Sequence, residues 1–308
     1  MLADPGDDGD AAADERGDED AKFFVSLRYG IRMATRSLLF TPGDEPEMMR
    51  KALSLNADVI IFDLEDAVSQ ANKELAREAV SEVLAEAVDA EPDVWVRINP
   101  LETGGDDDIA ALADADATPE EVFLPMVERV DQLRAVADRF EEAGIDSGIV
   151  ALVETAPGLT AVEEIAAGPR VSGVVFGAED FTADMGIVDL ADDRYLDYAR
   201  SRIAVAGSAA DVVAIDTVYT DLGDTEGLRA AAEDALNFGF DGKAAIHPSQ
   251  IETINEVFTP SEERIEWAEG VLEAREAAGD KGVFEYEGEM IDAPVLARAE
   301  EILRRAGR

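Results

Sequence analysis

Four short apolar runs, each ending at charged residues, decide the fold class of this chain: VIIFDLED (59–66), VWVRIN (94–99), IVALVET (149–155) and VVFGAED (174–180). Their nearly continuous apolar character is typical of strands that are buried on both faces of a parallel sheet. A carboxylate directly after such a run is costly to remove from water unless something pairs with it. These few acids therefore need a partner, whereas most of the 70 acids in the chain need only solvent.

Similar runs recur along the chain and predict eight strands. The predicted strands are 37–41, 59–62, 94–98, 122–125, 149–153, 171–176, 212–215 and 244–246. Segments with helical periodicity separate them, including 46–55, 73–88, 130–143, 158–166, 194–206 and 226–238. This alternation predicts an α/β protein with a (β/α)8 TIM-barrel fold. A doubly wound sheet is the alternative, but no G-x-G-x-x-G motif follows any strand.

We expect three parts along the chain. Residues 1–34 form an acidic N-terminal extension without apolar periodicity, which is typical of disorder. Met33 immediately precedes the first strong strand, so the upstream residues are either an over-extended reading frame or a solvating tail. Residues 35–258 form the barrel. Residues 259–308, with helices predicted at 261–278 and 294–305 and a short strand at 283–287, form a C-terminal extension that packs on the barrel or on a neighbouring subunit.

The net charge of −44 limits the classes of partner. Nucleic-acid binding needs a basic face that this chain does not supply. The acids are spread along every helical segment, a pattern that favours adaptation to a high-salt cytoplasm over a basic partner. No apolar stretch is long enough for a membrane span and no secretory signal precedes the first strand, so we expect a soluble, cytoplasmic protein with no membrane partner.

The composition also limits the chemistry. Cysteine is absent and histidine occurs once, at His247, which excludes disulfides, thiol catalysis and Cys/His zinc sites. A metal in this chain must be held by oxygen, which favours Mg²⁺, with Mn²⁺ as the alternative. We expect His247, followed by Pro248, to be a packed residue at a strand end.

Functional groups of a TIM barrel lie at the carboxyl ends of its strands. Glu154 and Asp180 follow adjacent predicted strands, so their carboxylates are predicted to meet over one metal ion, with Arg97 opposite. The alternative is that both acids cap the helices that follow them. Three further acids, Asp63, Glu65 and Asp66, are expected to reach the metal through water or to orient arginines. Asp66 is also a candidate helix cap.

Six ordered blocks carry a resemblance to a known family: RSLLFTPGDEPEMMRKAL, DLEDAV, VRIN, LVETAPGL, VFGAEDF and GFDGKAAIHPSQI. Together they resemble the citrate lyase β-subunit (HpcH/HpaI aldolase) family over roughly residues 35–295. The MIDAP segment of the C-terminal extension resembles the C-terminal lid of the malyl-CoA lyase and malyl-CoA thioesterase-like branches, and the overall resemblance favours the malyl-CoA or β-methylmalyl-CoA lyase branch. The resemblance implies a TIM barrel, Mg²⁺, and a homotrimer or dimer of trimers.

The resemblance also implies roles for individual residues. Glu154 and Asp180 match the metal ligands, and Arg97 matches an arginine that contacts substrate oxygens. Arg36 matches a residue near the substrate and thioester, and Asp292 matches a lid aspartate that reaches a neighbour's site.

The implied reaction is reversible cleavage of malyl-CoA or β-methylmalyl-CoA to glyoxylate and acetyl-CoA or propionyl-CoA. Two alternatives stay open: a malyl-CoA thioesterase or malate synthase-like activity, and a citrate lyase β subunit that needs an acyl-carrier partner. A Schiff-base mechanism is disfavoured because Lys243 is expected to precede the last strand, at the wrong end of the barrel.

Overall fold

A computed structural model describes residues 35–188, 193–279 and 282–308. The predicted N-terminal extension lies outside the described residues. The described chain divides into two compact units, 35–266 and 267–308. In the described residues, no helix has the length and apolar character that a membrane crossing requires.

The first unit contains a closed barrel of eight parallel strands in sequence order, which confirms the predicted TIM barrel. The strands are β1 (Ser37–Pro42), β2 (Val59–Asp63), β3 (Asp93–Arg97), β4 (Glu121–Leu124), β5 (Gly148–Val153), β6 (Val171–Phe176), β7 (Val213–Asp216) and β8 (Gly242–Ala245). Each predicted strand overlaps the observed one, with boundaries that differ by at most two residues. The register brings Asp63 of β2 directly beside Arg97 of β3.

In the described part of this unit, ten α-helices follow the strands. They are α1 (Pro46–Ala52), α2 (Lys73–Glu86), α3 (Gly105–Asp114), α4 (Val130–Ala143), α5 (Ala156–Thr160), α6 (Val162–Ala166), α7 (Ala178–Asp184), α8 (Asp197–Ala210), α9 (Thr225–Phe238) and α10 (Ile251–Phe258). The helix predicted at 158–166 is two short helices, and α3, α7 and α10 were not predicted.

The C-terminal segment holds two helices and a hairpin. Helix α11 (Glu262–Ala278) crosses the boundary between the units, and strands β9 (Phe284–Tyr286) and β10 (Glu289–Ile291) precede α12 (Ala293–Arg305). The two strands pair antiparallel, and the two residues of their turn, Glu287 and Gly288, both have positive φ. That backbone conformation is typical of a two-residue hairpin turn. The predicted short strand is therefore one half of a hairpin.

Side chains alternate between two cores, because successive residues of a strand point to opposite faces. One cluster fills the barrel lumen and includes Leu38, Ile61, Trp95, Leu152 and Ile215. The other lies between the strands and the helices. The same alternation aims Asp63, Arg97 and Glu154 into the lumen at its carboxyl end, and it aims Asp216 and Lys243 outward at the helices.

Barrel closure depends on a glycine at the start of β8. A Cβ atom on Gly242 would lie 2.0 Å from the carbonyl oxygen of Thr35 and 2.6 Å from that of Arg36, both at the start of β1. These are backbone atoms, so a side chain there forces the first and last strands apart. The structure places Gly242 within the strand, where this close approach leaves no room for a side chain. Gly239, with φ of +96°, ends α9 in the left-handed conformation.

We expect Gly242→Ala to destabilise the protein by about 1–3 kcal/mol, because overpacking against backbone cannot relax by rotamer change. Gly282→Ala is the matched control, since a Cβ there meets nothing within 4 Å. Urea unfolding of both variants measures the difference, and equal midpoints would contradict the close approach.

Candidate active site

The lumen-facing charged residues line one pocket at the carboxyl ends of the strands. The pocket has a volume of about 250 Å³ and is lined by Asp63, Arg97, Glu154 and Asp180, with Phe40 and Thr217 also in its wall. The structure therefore brings together four of the eight predicted site residues, although they end or follow four different strands. Phe40 and Thr217 were not predicted, yet Thr217 carries a similar signal, since it follows the apolar run of β7.

Arg97 is held by two carboxylates. Its Nε donates to Asp63 Oδ1 at 2.6 Å and its Nη2 to Asp63 Oδ2 at 2.5 Å, while Nη1 lies 2.9 Å from Glu65 Oε2. The guanidinium also stacks 4.9 Å from the ring centroid of Phe40. Burial lowers the pKa of Arg97, but the hydrogen bond and the charges of Asp63 and Glu65 outweigh it and raise that pKa overall. These contacts are the ones expected of acids that orient Arg97, and the role of Asp63 and Glu65 in the site stays a prediction.

Asp63 also shapes the loop that follows β2. Its Oδ1 accepts from the Glu65 amide at 2.9 Å and its Oδ2 accepts from the Ala67 amide at 3.0 Å. One fully buried carboxylate thus fixes both the arginine and the turn that carries Glu65. Burial, opposed by the charge of Arg97, raises the pKa of Glu65 to about 7. Asp66 is exposed in this turn, and its negative charge adds to the field around Glu65 and Arg97.

Glu154 is buried at the end of β5. Its Oε1 accepts from the Met126 amide at 2.7 Å, and Met126 has a φ of 54°, a left-handed conformation that is uncommon outside glycine. Burial raises the pKa of Glu154 to about 8; the Met126 amide opposes that rise, and the charges of Asp180 and Glu65 add to it. A Cβ on Gly177 would lie 2.8 Å from Glu154 Oε2, so only glycine leaves room for the carboxylate.

Asp180 lies in the first turn of α7 and faces the same pocket. The helix is anchored by an edge-to-face contact of Phe181 with Phe176, whose ring centroids are 5.6 Å apart. Asp184, at the other end of the helix, accepts from the amide of Ala156 at 2.8 Å. The start of α5, just after β5, and the end of α7 are therefore tied together, which holds the helix that carries Asp180 near Glu154.

The two acids suit a divalent cation. Within the described residues no cation forms an ion pair with Glu154 or Asp180, and one carboxylate raises the pKa of the other. The described residues contain no cluster of three or more acids or histidines that could hold a metal. A metal bound here would take two carboxylates from the protein, with water and substrate at its other positions. That donor set consists only of oxygen and fits Mg²⁺.

A buried polar network behind the pocket was missed by sequence reasoning. Lys73 Nζ donates to the carbonyl oxygens of Leu64 and Glu65 and to Asn99 Oδ1, at 2.7–2.9 Å. Asn99 Nδ2 in turn donates to Asp108 Oδ2 at 2.6 Å, a carboxylate that is fully buried and paired with an arginine. The network holds the loop after β2 against the end of β3. A lysine inside a helical segment offered no sequence signal for this role.

The prediction that Arg36 lies beside the substrate is wrong. Arg36 precedes β1 and therefore lies at the amino end of the barrel, opposite the pocket. Its Nε and Nη2 donate to Asp58 at 2.8 and 2.6 Å, and its Nη1 donates to Thr259 Oγ1 at 2.8 Å. The physical reason is its place in the sequence. Asp63, Arg97 and Glu154 end or follow their apolar runs, whereas Arg36 comes before its run and therefore lies at the opposite end of a parallel barrel.

Two further expectations need correction. Lys243 lies within β8, not before it, and its Nζ donates to Asp216 Oδ2 at 2.7 Å on the helix side of the strands. It is thus kept out of the lumen, which supplies a different reason against a Schiff base. His247 is exposed and not packed, and its Nδ1 lies 2.8 Å from Ser249 Oγ at the start of a 3-10 turn.

Asp292 lies in the C-terminal unit. It is the N-cap of α12, where its side chain accepts from the Val295 amide at 3.3 Å. This contact is that of an ordinary helix cap. The lid function of Asp292 stays a prediction.

The raised pKa of Glu154 predicts how the metal-free protein responds to pH. A carboxyl with a pKa of about 8 in the folded state, against an ordinary 4.5, stabilises the fold fully only at low pH. That contribution declines above the ordinary pKa and is lost as pH rises through about 8. We expect urea unfolding in EDTA to show a loss between pH 6 and 9 that exceeds the loss in Glu154→Gln by about 2 kcal/mol. An equal loss in both proteins would contradict the buried, uncompensated carboxylate. Glu78→Gln, at an exposed helix position, should behave like the unaltered chain.

The corrected position of Arg36 predicts a purely structural effect. We expect Arg36→Gln to lower the free energy of unfolding by about 1.5–3 kcal/mol, since it removes charge-assisted hydrogen bonds to Asp58. Mn²⁺ affinity, measured by titration calorimetry, should stay unchanged. Weaker Mn²⁺ binding in this variant would indicate that Arg36 does contribute to the metal site.

Comparison with known proteins identifies the family. Residues 36–248 match the family model described as HpcH/HpaI aldolase/citrate lyase, and residues 195–308 match one described as C-C bond lyase of the TIM-barrel fold. Mitochondrial citramalyl-CoA lyase of Mus musculus is 34% identical over 299 residues, covering 91% of this chain and 88% of its own. The (3S)-malyl-CoA thioesterase of Cereibacter sphaeroides is 36% identical over 274 residues, covering 88% and 94%.

A solved structure agrees in fold and sequence. The crystal structure of protein CitE from Mycobacterium tuberculosis, in complex with magnesium, acetoacetate and coenzyme A, superposes with a TM-score of 0.74 at 38% identity. It covers 89% of this chain and 99% of its own. The pocket with its paired acids and oriented arginine thus occurs on the fold of a lyase family, and this chain belongs to the HpcH/HpaI aldolase/citrate lyase family.

Proposed function

We propose that this protein is a Mg²⁺-dependent lyase that reversibly cleaves malyl-CoA or β-methylmalyl-CoA to glyoxylate and acetyl-CoA or propionyl-CoA. The observation that carries the proposal is the placement of Glu154 and Asp180 in one pocket with Arg97. Relatives that act on citramalyl-CoA and malyl-CoA, and a relative crystallised with magnesium and coenzyme A, support it.

Glu154 and Asp180 would hold the metal ion. When bound, Mg²⁺ supplies a Lewis acid for the carbonyl group that leaves as glyoxylate. Because burial raises the pKa of Glu154 to about 8, its carboxyl would have to lose a proton to hold a metal near neutral pH, so metal affinity should increase as pH rises toward about 8.

Arg97 contributes positive charge at a fixed position. Asp63 and Glu65 hold its guanidinium, and the remaining Nη hydrogens are available to a substrate oxygen. Cleavage of the carbon–carbon bond next to a thioester moves negative charge onto the thioester oxygen. A preorganised guanidinium stabilises such charge without reorganising at the moment of reaction. We assign to Asp292, acting from a neighbouring subunit of a trimer, exchange of the proton at the enolate carbon.

The direct test is glyoxylate release from both thioesters, with and without EDTA. Loss of a residue that only orients a metal ligand lowers activity by roughly 10–100-fold. We expect Glu154→Gln and Asp180→Asn each to lower the rate by more than that, because each removes a metal ligand. Glu164→Gln removes the same charge from an exposed helix position and should retain activity. Metal-independent glyoxylate release, or full activity in either site variant, would contradict the proposal.

The products separate this proposal from its alternatives. Free CoA appearing together with malate identifies the thioesterase or malate synthase-like activity. Silence on both CoA thioesters, with copurification of an acyl carrier, identifies a citrate lyase β subunit. Similarity does not rank the two alternatives, because relatives of both kinds align over 88% of the chain.

We also propose that the acidic surface adapts the protein to a high-salt cytoplasm. The net charge of −44 creates self-repulsion that salt at about 1 M screens within a few ångström. The assays should therefore be run in both dilute buffer and concentrated KCl. A trimeric assembly stays a prediction that light scattering under the same conditions tests.

A further inference from the structure

A cluster of buried charges lies outside the barrel lumen, and the proposed chemistry does not use it. Asp216, at the end of β7, is fully buried between the strands and the helix layer. Arg200 of α8 donates to both of its oxygens, from Nε at 3.0 Å and from Nη2 at 2.9 Å. Lys243 Nζ donates to Asp216 Oδ2 at 2.7 Å. Three charged groups in such a place cost desolvation free energy, and a hydrophobic set of similar volume is often as stable.

The cluster holds the residue that follows β7. Lys243 Nζ also donates to the carbonyl oxygen of Thr217 at 2.8 Å, so the same ammonium group binds the Asp216 side chain and the Thr217 backbone. Lys243 is only 2% exposed, and the Arg200 guanidinium stacks 4.6 Å from the ring centroid of Phe238. Both cations are therefore restricted to one geometry. The hydrogen bond from Lys243 Nζ then restricts the backbone of Thr217 as well.

Thr217 reaches from the end of β7 to the start of α7. Its Oγ1 accepts from the Ala178 amide at 3.1 Å. Gly177, which precedes the helix, has no side chain to cap it, and no side-chain cap hydrogen bond comes from that position. Thr217 thus supplies from a neighbouring strand an acceptor for one of the otherwise unpaired amides of the first turn. Ala178 lies two residues before Asp180, and all three residues line the pocket.

We infer that Thr217, held by Lys243 and Asp216, is the positioning residue that sets where the Asp180 carboxylate meets the metal. The inference rests on the proposed function, because it assumes that Asp180 is a metal ligand. The other end of α7 is already tied to the β5 side by Asp184, and the Phe181 ring fixes its middle. Without Thr217, the first turn loses its anchor on the β7 side and the carboxylate gains freedom to move away from Glu154.

The test measures Mn²⁺ binding to the full chain by titration calorimetry and by electron paramagnetic resonance. We expect Thr217→Val, which keeps the shape but removes the acceptor, to weaken Mn²⁺ binding about tenfold, the lower end of the effect of an outer-shell partner. Thr217→Ser keeps the hydroxyl, so its Mn²⁺ affinity should stay within about twofold of that of the unaltered chain, well below the effect of losing a residue that orients a metal ligand. The unfolding midpoint in EDTA shows that each variant is folded.

The matched control is Thr259→Val at the amino end of the barrel. It makes the same side-chain exchange and deletes two hydrogen bonds away from the pocket, one from Arg36 Nη1 and one to the carbonyl oxygen of Asn255. Its Mn²⁺ affinity should equal that of the unaltered chain. Equal weakening in Thr217→Val and Thr259→Val would indicate a general loss of stability and overturn the inference.

A double-mutant cycle tests the role of the buried lysine. If Lys243 acts through Thr217, Lys243→Met should weaken Mn²⁺ binding alone but add little in the Thr217→Val background. Additive effects would separate the lysine from the threonine. Normal Mn²⁺ affinity in Thr217→Val would contradict the inference and leave the proposed function intact, whereas no Mn²⁺ binding by the unaltered chain would contradict both.

Discussion

The bidentate ion pair of Arg97 with Asp63 is the interaction on which the pocket depends. It joins β2 to β3 in register at the carboxyl end of the barrel, and the same carboxylate folds the following turn through the amides of Glu65 and Ala67. A buried aspartate is stable here only because the arginine and these amides replace its lost water. The pair therefore serves folding and chemistry together: it closes one side of the pocket and fixes a positive charge where substrate oxygens are proposed to bind.

The opposite side of the pocket follows a different logic. Glu154 is buried, and no cation among the described residues forms an ion pair with it. The charge of Asp180 raises the pKa of Glu154 further. Two acids that disfavour each other's charge make a poor structural pair but a good site for a divalent cation. The positive-φ residue Met126 and the close approach of Gly177 both serve the placement of this one carboxylate. Backbone strain and a missing side chain are thus concentrated at the point where a metal is proposed to bind.

Sequence periodicity predicted the barrel well, because burial on both faces makes every strand an apolar run. It also predicted Asp63, Arg97 and Glu154, since each ends or follows such a run and the carboxyl ends of parallel strands meet. Arg36 was placed at the site by resemblance alone, and its position before its strand puts it at the other end. The role of Lys73 was not predicted, and Lys243 was placed before its strand. In a sequence, a buried lysine cannot be distinguished from a surface lysine until its partners are known.

The sequence by itself determined the fold class, the oxygen-only donor set and the candidate metal ligands, because local periodicity and composition are properties of the chain alone. Only the tertiary structure decided which charges are partners. The Arg97–Asp63 contact spans 34 residues, the link from Thr217 to Ala178 spans 39, and the contact of Lys73 with Asn99 spans 26. Such partners are selected by strand register and side-chain alternation in the closed barrel, which no single stretch of the sequence contains.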